Sequence, residues 1–132
     1  MQQDFSHWDV IVVDDEPDNI GVIEIVFNFH SVRFRAAESG QQCIDLLFER
    51  IPTLILADIQ MPFMSGYELL KHIRAKPEWQ PIPVIAITAH AMSGDHEQAI
   101  KAGLAKPIEA MRLMQQIQDI LAQKKGNNES NA

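Results

Sequence analysis

One cysteine, Cys43, is all the sequence holds, so an internal disulfide is ruled out. It lies in an apolar, helix-like stretch and reads as a small core hydrophobe. Basic residues are also scarce, with 11 Lys and Arg against 18 Asp and Glu, a formal net charge of -7. Nucleic-acid binding needs a basic footprint that displaces counterions, so none is expected. No apolar run approaches the ~20 residues that span a bilayer, and no membrane segment is expected. The opening residues, MQQDFSHWD, carry neither a basic region nor an apolar core, so no signal peptide is expected. The expected compartment is reducing, most simply the cytoplasm.

What is present is a globular balance of 46% hydrophobic residues over 132 residues, enough for one domain with a real core. Apolar strand-like runs occur at Asp9–Val13, Val32–Ala36, Thr53–Ala57 and Ile82–Ile87. Helix-like stretches separate them. Asn19–Asn28 follows Pro17, a favourable early helical position. Ser39 is suited to cap a helix running to Arg50, and Ser65 one over Tyr67–Ala75. A short helix starting at Ser93 or Asp95 stops at Gly103. A last one follows Pro107, with Met111, Met114, Ile117 and Leu121 at helical spacing. Strand alternating with helix predicts βαβ units and a parallel sheet. Residues 1–8 read as an N-terminal extension, 9–123 as the domain, and 124–132 as a polar, disordered tail.

Open parallel sheets carry their chemistry at the carboxyl ends of the strands. There the sequence places Asp14, Asp15 and Glu16 after the first strand, Asp58 after the third and Thr88 after the fourth. Lys106 follows the short apolar pair Leu104-Ala105. Two readings of Asp14-Asp15 compete: a solvated turn, or a cation site that ends an apolar strand in like charges. Three carboxylates on one rim raise one another's pKa and resist crowding unless a hard cation joins them. Glu16 has its own alternatives, a favourable charge at a helix N-terminus or a metal ligand. Met61-Pro62 and Gly66 are expected to shape the turn after Asp58. Asp18 and Asn19 read as first-turn helix residues without chemistry. The five histidines show no metal spacing.

The fragments VVDDEPDN, LILADIQMPFMSGYELL, PVIAITAHA and AKPI, in that order, resemble the receiver domain of two-component response regulators over about Val10 to Leu121. The resemblance implies an α/β, flavodoxin-like fold of five parallel strands in order 2-1-3-4-5 with helices on both faces. It implies Asp58 as phosphoacceptor. It implies a Mg²⁺ site of Asp15, Asp58 and the Gln60 backbone carbonyl, with Asp14 acting through a metal-bound water. Thr88, with Ala89 beside it, and Lys106 match the phosphoryl-binding positions. Gln60 and His90 fall where the family varies its dephosphorylation rate. The implied partners are a sensor histidine kinase or histidine phosphotransfer protein and a downstream protein target, with a homodimer as a further option. The implied role is a phosphoacceptor, not an enzyme beyond weak self-phosphorylation and self-dephosphorylation.

The pattern breaks at Gly103, which runs directly into Leu104-Ala105-Lys106-Pro107. That is about four residues fewer than the family's usual form, and at ~3.3–3.6 Å per extended residue the usual distance is not spanned. Gly103 also stands where a switch aromatic is usual. The fourth helix unwinds, the fifth strand shortens, or the lysine is displaced. The expected function is a single-domain response regulator whose output is protein binding. Its rival is a degenerate receiver, a binding module that works without phosphorylation. A phosphatase of the haloacid dehalogenase type requires Asp-x-Asp after the first strand, and Asp14-Asp15 lacks the spacer.

Overall fold

The run Val10–Val13 is wholly buried, as part of β1 (Asp9–Val13), an interior strand of a parallel sheet. This computed structural model describes residues 5, 7–87, 105–108, 114, 115, 117–119, 121 and 122. After β1 come α1 (Pro17–Phe29), β2 (Arg33–Ala37), α2 (Gly40–Glu49), β3 (Leu54–Asp58) and α3 (Gly66–Arg74). A 3-10 turn (Pro77–Trp79) leads to β4 (Val84–Ile87) and then β5 (Ala105–Ile108).

Period two along β1 explains why Val10–Val13 is apolar without a break. Ile11 and Val13 join Ile55, Ala57, Cys43, Leu47, Leu69, Ile73 and Trp79 on one face, beneath α2 and α3. Val10 and Val12 join Leu54, Leu56, Ile20, Ile23, Phe27 and Ile117 on the other, beneath α1 and the last helical residues. With helices on both faces, the middle positions of β1 and β3 are apolar, and the polar residues of these two strands, Asp9 and Asp58, stand at strand ends. Each buried Val, Leu or Ile contributes about 1.5–3 kcal/mol over its exposed form. Phe5 and Trp8 are buried in the second core, their rings tilted against each other with centroids 4.9 Å apart.

The expected sheet is met over four strands, paired evenly in order β2-β1-β3-β4. β5 lies parallel to β4 but irregularly: its partners advance from Ala105 to Ile108 while β4 advances only from Ile85 to Ile87. The extra residue falls at Lys106-Pro107. Proline has no N–H to donate to a ladder, so a bulge there has a local cause. The predicted fourth helix and Gly103 lie outside the described residues, as does the tail after Ala122.

Several boundaries move from their expected places for identifiable reasons. Val32 belongs to the turn before β2, donating its N–H to Phe27 O at 2.8 Å after Ser31 in the left-handed region (φ 58). Thr53 precedes β3 and ties it to β1: Asp9 N donates to Thr53 Oγ1 at 3.0 Å and Thr53 N to Asp9 O at 2.7 Å. Ile82 closes the 3-10 turn through Trp79 O at 3.1 Å, so β4 starts after Pro83. The caps fall as expected. Ser39 accepts from Gln42 N, and Ser65 forms a capping box with Glu68. No helix among the described residues is long and apolar enough to cross a membrane.

Candidate functional site

Parallel β1 and β3 are neighbours in register, with Val13 opposite Ala57, so the residues that follow come out side by side. Asp58 is therefore the last residue of β3 rather than the first beyond it. Asp14, Asp15 and Asp58 each offer a carboxylate oxygen within 4.8 Å of the others. Asp14 is buried (3% exposed), and Asp15 and Asp58 are half-buried.

Local hydrogen bonds set the two inner carboxyls. Asp14 holds its backbone by donating to Ala37 O at 3.0 Å, and its Oδ1 accepts from Glu16 N at 2.9 Å. Its carboxyl also takes a hydrogen bond from the Asn19 side chain. Asp58 Oδ1 accepts from Gln60 N at 3.2 Å. These bonds favour the ionised forms but do not win. Burial pushes the Asp58 carboxyl up to about 6, and the neighbouring Asp14 and Asp15 charges push the same way. Asp14 is raised too, first by burial and further by Asp15. The ion pairs among the described residues lie at the opposite end of the sheet, on Asp9.

The loop after Asp58 is held close. Gly66 N donates to Ile59 O at 2.8 Å, and a Cβ on Gly66 would stand 2.6 Å from Asp58 O and 2.9 Å from Ile59 Cα. Only glycine allows α3 to start so near the strand end. Met61 is buried and Met64 half-buried, whereas Phe63 between them is fully exposed, with φ 67.

Of the residues singled out in the sequence, the acids are brought together and Glu16 is not. It is the exposed residue at the start of α1, and its contribution is a backbone N–H. Gln60 is exposed beside Asp58. Thr88, Ala89 and His90 lie outside the described residues. Lys106 is described only as a backbone position of β5. Sequence reasoning missed Asn19 as a partner of Asp14. The signal was there, since Asn19 follows Asp14 by five residues across the strand-to-helix turn. It also missed Phe63, whose mark was a large apolar residue among turn formers.

The donor set suits a hard divalent cation. Its side chains offer three closely spaced carboxylates, two of them with raised pKa values that a metal would lower.

Residues 10–118 match the family model of the response regulator receiver domain. Over 108 residues the chain is 41% identical to the signal transduction histidine-protein kinase BarA of Escherichia coli, covering 79% of this chain but only 12% of that kinase. It is 35% identical over 116 residues to the polar-differentiation response regulator DivK of Brucella ovis, covering 85% of this chain and 94% of DivK. Among solved structures it resembles the receiver domain of a sensor histidine kinase from Pseudomonas aeruginosa PAO1, described with a magnesium ion coordinated in the active site cleft. That likeness has a TM-score of 0.76 at 28% identity, covering 85% of this chain and 95% of the other.

Proposed function

This chain belongs to the response regulator receiver domain family, and from that premise we propose that it accepts a phosphoryl group on Asp58 from a histidine kinase or phosphotransfer protein. The observation that carries the reading is the convergence of Asp14, Asp15 and Asp58 within 4.8 Å, with the Asp58 carboxyl raised to about 6. A carboxyl whose pKa is raised by burial and by crowding with like charge is a poor structural choice. It is a sensible nucleophile where positive charge is brought in with the substrate.

In the proposed reaction an Asp58 carboxylate oxygen attacks the phosphorus of a phosphohistidine. A P–O bond forms as the P–N bond breaks. The imidazole nitrogen leaves with the electron pair and takes a proton from solvent. Backbone N–H groups of Ile59 and Gln60 hold the Asp58 carboxyl, with Gln60 N on Oδ1, and so fix its orientation at the strand end. Asp15, Asp58 and the Gln60 carbonyl would hold Mg²⁺, with Asp14 reaching it through water. When bound, Mg²⁺ supplies charge neutralisation for the acids and the phosphoryl oxygens. Thr88, with Ala89, and Lys106 would take the phosphoryl oxygens, while Gln60 and His90 would set access for the hydrolytic water. The protein would act as a phosphoacceptor, and its output would be binding of another protein.

The test is intact mass after incubation with acetyl phosphate and Mg²⁺. The parent gains one phosphoryl group, and Asp58→Asn gains none. Undiminished labelling of Asp58→Asn would sink the assignment.

A second reading is favoured by the bulge at Lys106-Pro107. If it displaces the lysine ammonium from the acids, the domain keeps its fold and binds partners without phosphorylation. The same experiment separates the two, because such a protein shows no mass gain at all.

A further inference from the structure

We propose that Phe63 is the residue by which this domain engages its phosphodonor protein, as a phenyl ring held out beside Asp58 that enters an apolar pocket next to the donor's phosphohistidine. The inference rests on the reading of Asp58 as phosphoacceptor and names the partner contact for that same site.

Phe63 is 103% exposed, the most exposed large hydrophobic side chain among the described residues. Its φ of 67 lies in the left-handed region, where Gly or Asn is at ease and a bulky residue is strained. The position is therefore poorly chosen for folding, both in solvation and in backbone. The loop that carries the ring is held on the side that follows it. Met64 N bonds Pro62 O at 2.7 Å. The Met64 side chain fills the space above Gly40, where an added Cβ would meet its Sδ at 2.5 Å. Gly66 N closes the loop on Ile59 O.

Distance decides what covers the ring. Gly66 touches the Asp58 carbonyl and lies three residues from Phe63, so the Phe63 Cα is within about 11 Å of that contact. An ordinary protein interface of about 800 Å² per partner has a radius of roughly 16 Å. A protein that delivers a phosphoryl group to Asp58 must centre its footprint there, and that footprint includes Phe63. The other exposed rings do not share this position. Phe29 ends α1, about 18 Å along the helix from Pro17 at 1.5 Å per residue. Phe48 already packs on Trp79 at 5.0 Å, with Lys76 above it. Aromatic anchors near the centre of an interface carry a disproportionate share of binding. The transfer is unchanged: the P–N bond of the donor breaks, the P–O bond to Asp58 forms, and the donor imidazole is protonated from solvent.

The test compares a protein donor with a small one. The autophosphorylated histidine kinases of the host, carrying radiolabelled phosphate, are each mixed with the full chain, and the fastest donor becomes the probe. Acetyl phosphate, too small to need the ring, is the control. Phe63→Ala and Phe63→Asn should lower kcat/KM for transfer from the kinase roughly tenfold or more. Labelling by acetyl phosphate should not change, and Phe63→Asn should melt higher than the parent. Phe63→Tyr should retain most of the transfer. Parent-like transfer to Phe63→Ala overturns the proposal, as does an equal loss with both donors or the absence of any labelling kinase. If acetyl phosphate also fails to label the parent at Asp58, the reading of the site itself falls.

Discussion

Two aspartates bracket β1, and the fold treats them in opposite ways. Asp9 opens the strand. Its Oδ2 accepts from Arg50 Nε at 2.6 Å and lies 3.6 Å from Arg35. Burial alone would raise its carboxyl, but the Arg50 hydrogen bond and the Arg35, Arg50 and Arg33 charges outweigh it and hold the carboxyl below its usual range. Asp14 follows the strand, with Asp15 and Asp58 beside it, and is raised. The same residue type is neutralised within the chain at one end of the sheet and left crowded at the other. The difference separates an ion-paired carboxylate from a crowded one, the setting in which a cation is proposed.

The largest effect on this contrast should come from Gly66→Ala. Its Cβ would press on the Asp58 carbonyl, forcing the strand end or the start of α3 to move. We expect a loss of about 1–3 kcal/mol in urea unfolding, together with slower labelling of Asp58. A variant that is destabilised yet labelled at the parental rate would show that the close approach does not position the proposed phosphoacceptor.

The pH dependence of stability without metal should differ between the two ends. Asp58 binds its proton more tightly folded than unfolded, so its contribution is greatest in acid. It is lost as pH rises from the ordinary carboxylate value of 3.8 to about 6. Solvent screening at a half-buried site holds the change to about 1–2 kcal/mol. Asp9 works the other way: its contribution is present above the ordinary carboxylate pKa and lost as pH falls through its lowered one. Asp58→Asn should flatten the first limb and Asp9→Asn the second, measured by urea titration from pH 3 to pH 8. If both variants alter the same limb, the two ends are not electrostatically distinct.

The smallest effect serves as a control away from both ends. Gly21 lies inside α1 with nothing within 4 Å of an added Cβ. Gly21→Ala should stabilise by about 0.5–1 kcal/mol through helix propensity and leave Mg²⁺ binding unchanged.

The acidic rim was legible in the sequence because it depends on short-range facts. An apolar run long enough to be a doubly covered strand ends in carboxylates, and parallel pairing brings two such ends together. The Ser39 and Ser65 caps were legible for the same reason, as a hydroxyl three residues from its backbone partner. The Asp9 cluster was not. Its partner Arg50 lies 41 residues away, and nothing in the local pattern of DVIVV separates an ion-paired strand start from a solvated one. The burial of Phe5 and Trp8 was also hidden, since two aromatics in a polar segment have no period. The strand boundaries slipped where side chains and prolines took over the ladder's work, as at Thr53 and Pro83.

The central claim is that the acids after β1 and β3 are left uncompensated because a divalent cation completes them. The direct measurement is the melting temperature of the parent and of Asp58→Asn at pH 7 across a Mg²⁺ titration, with Asp9→Asn alongside. The account predicts that Mg²⁺ stabilises the parent by about 1.4 kcal/mol at ten times its Kd. It predicts that Asp58→Asn melts higher than the parent without metal and responds little to it, while Asp9→Asn melts lower but responds in full. A parent indifferent to Mg²⁺, or an Asp58→Asn protein that melts lower than the parent without metal, would contradict it.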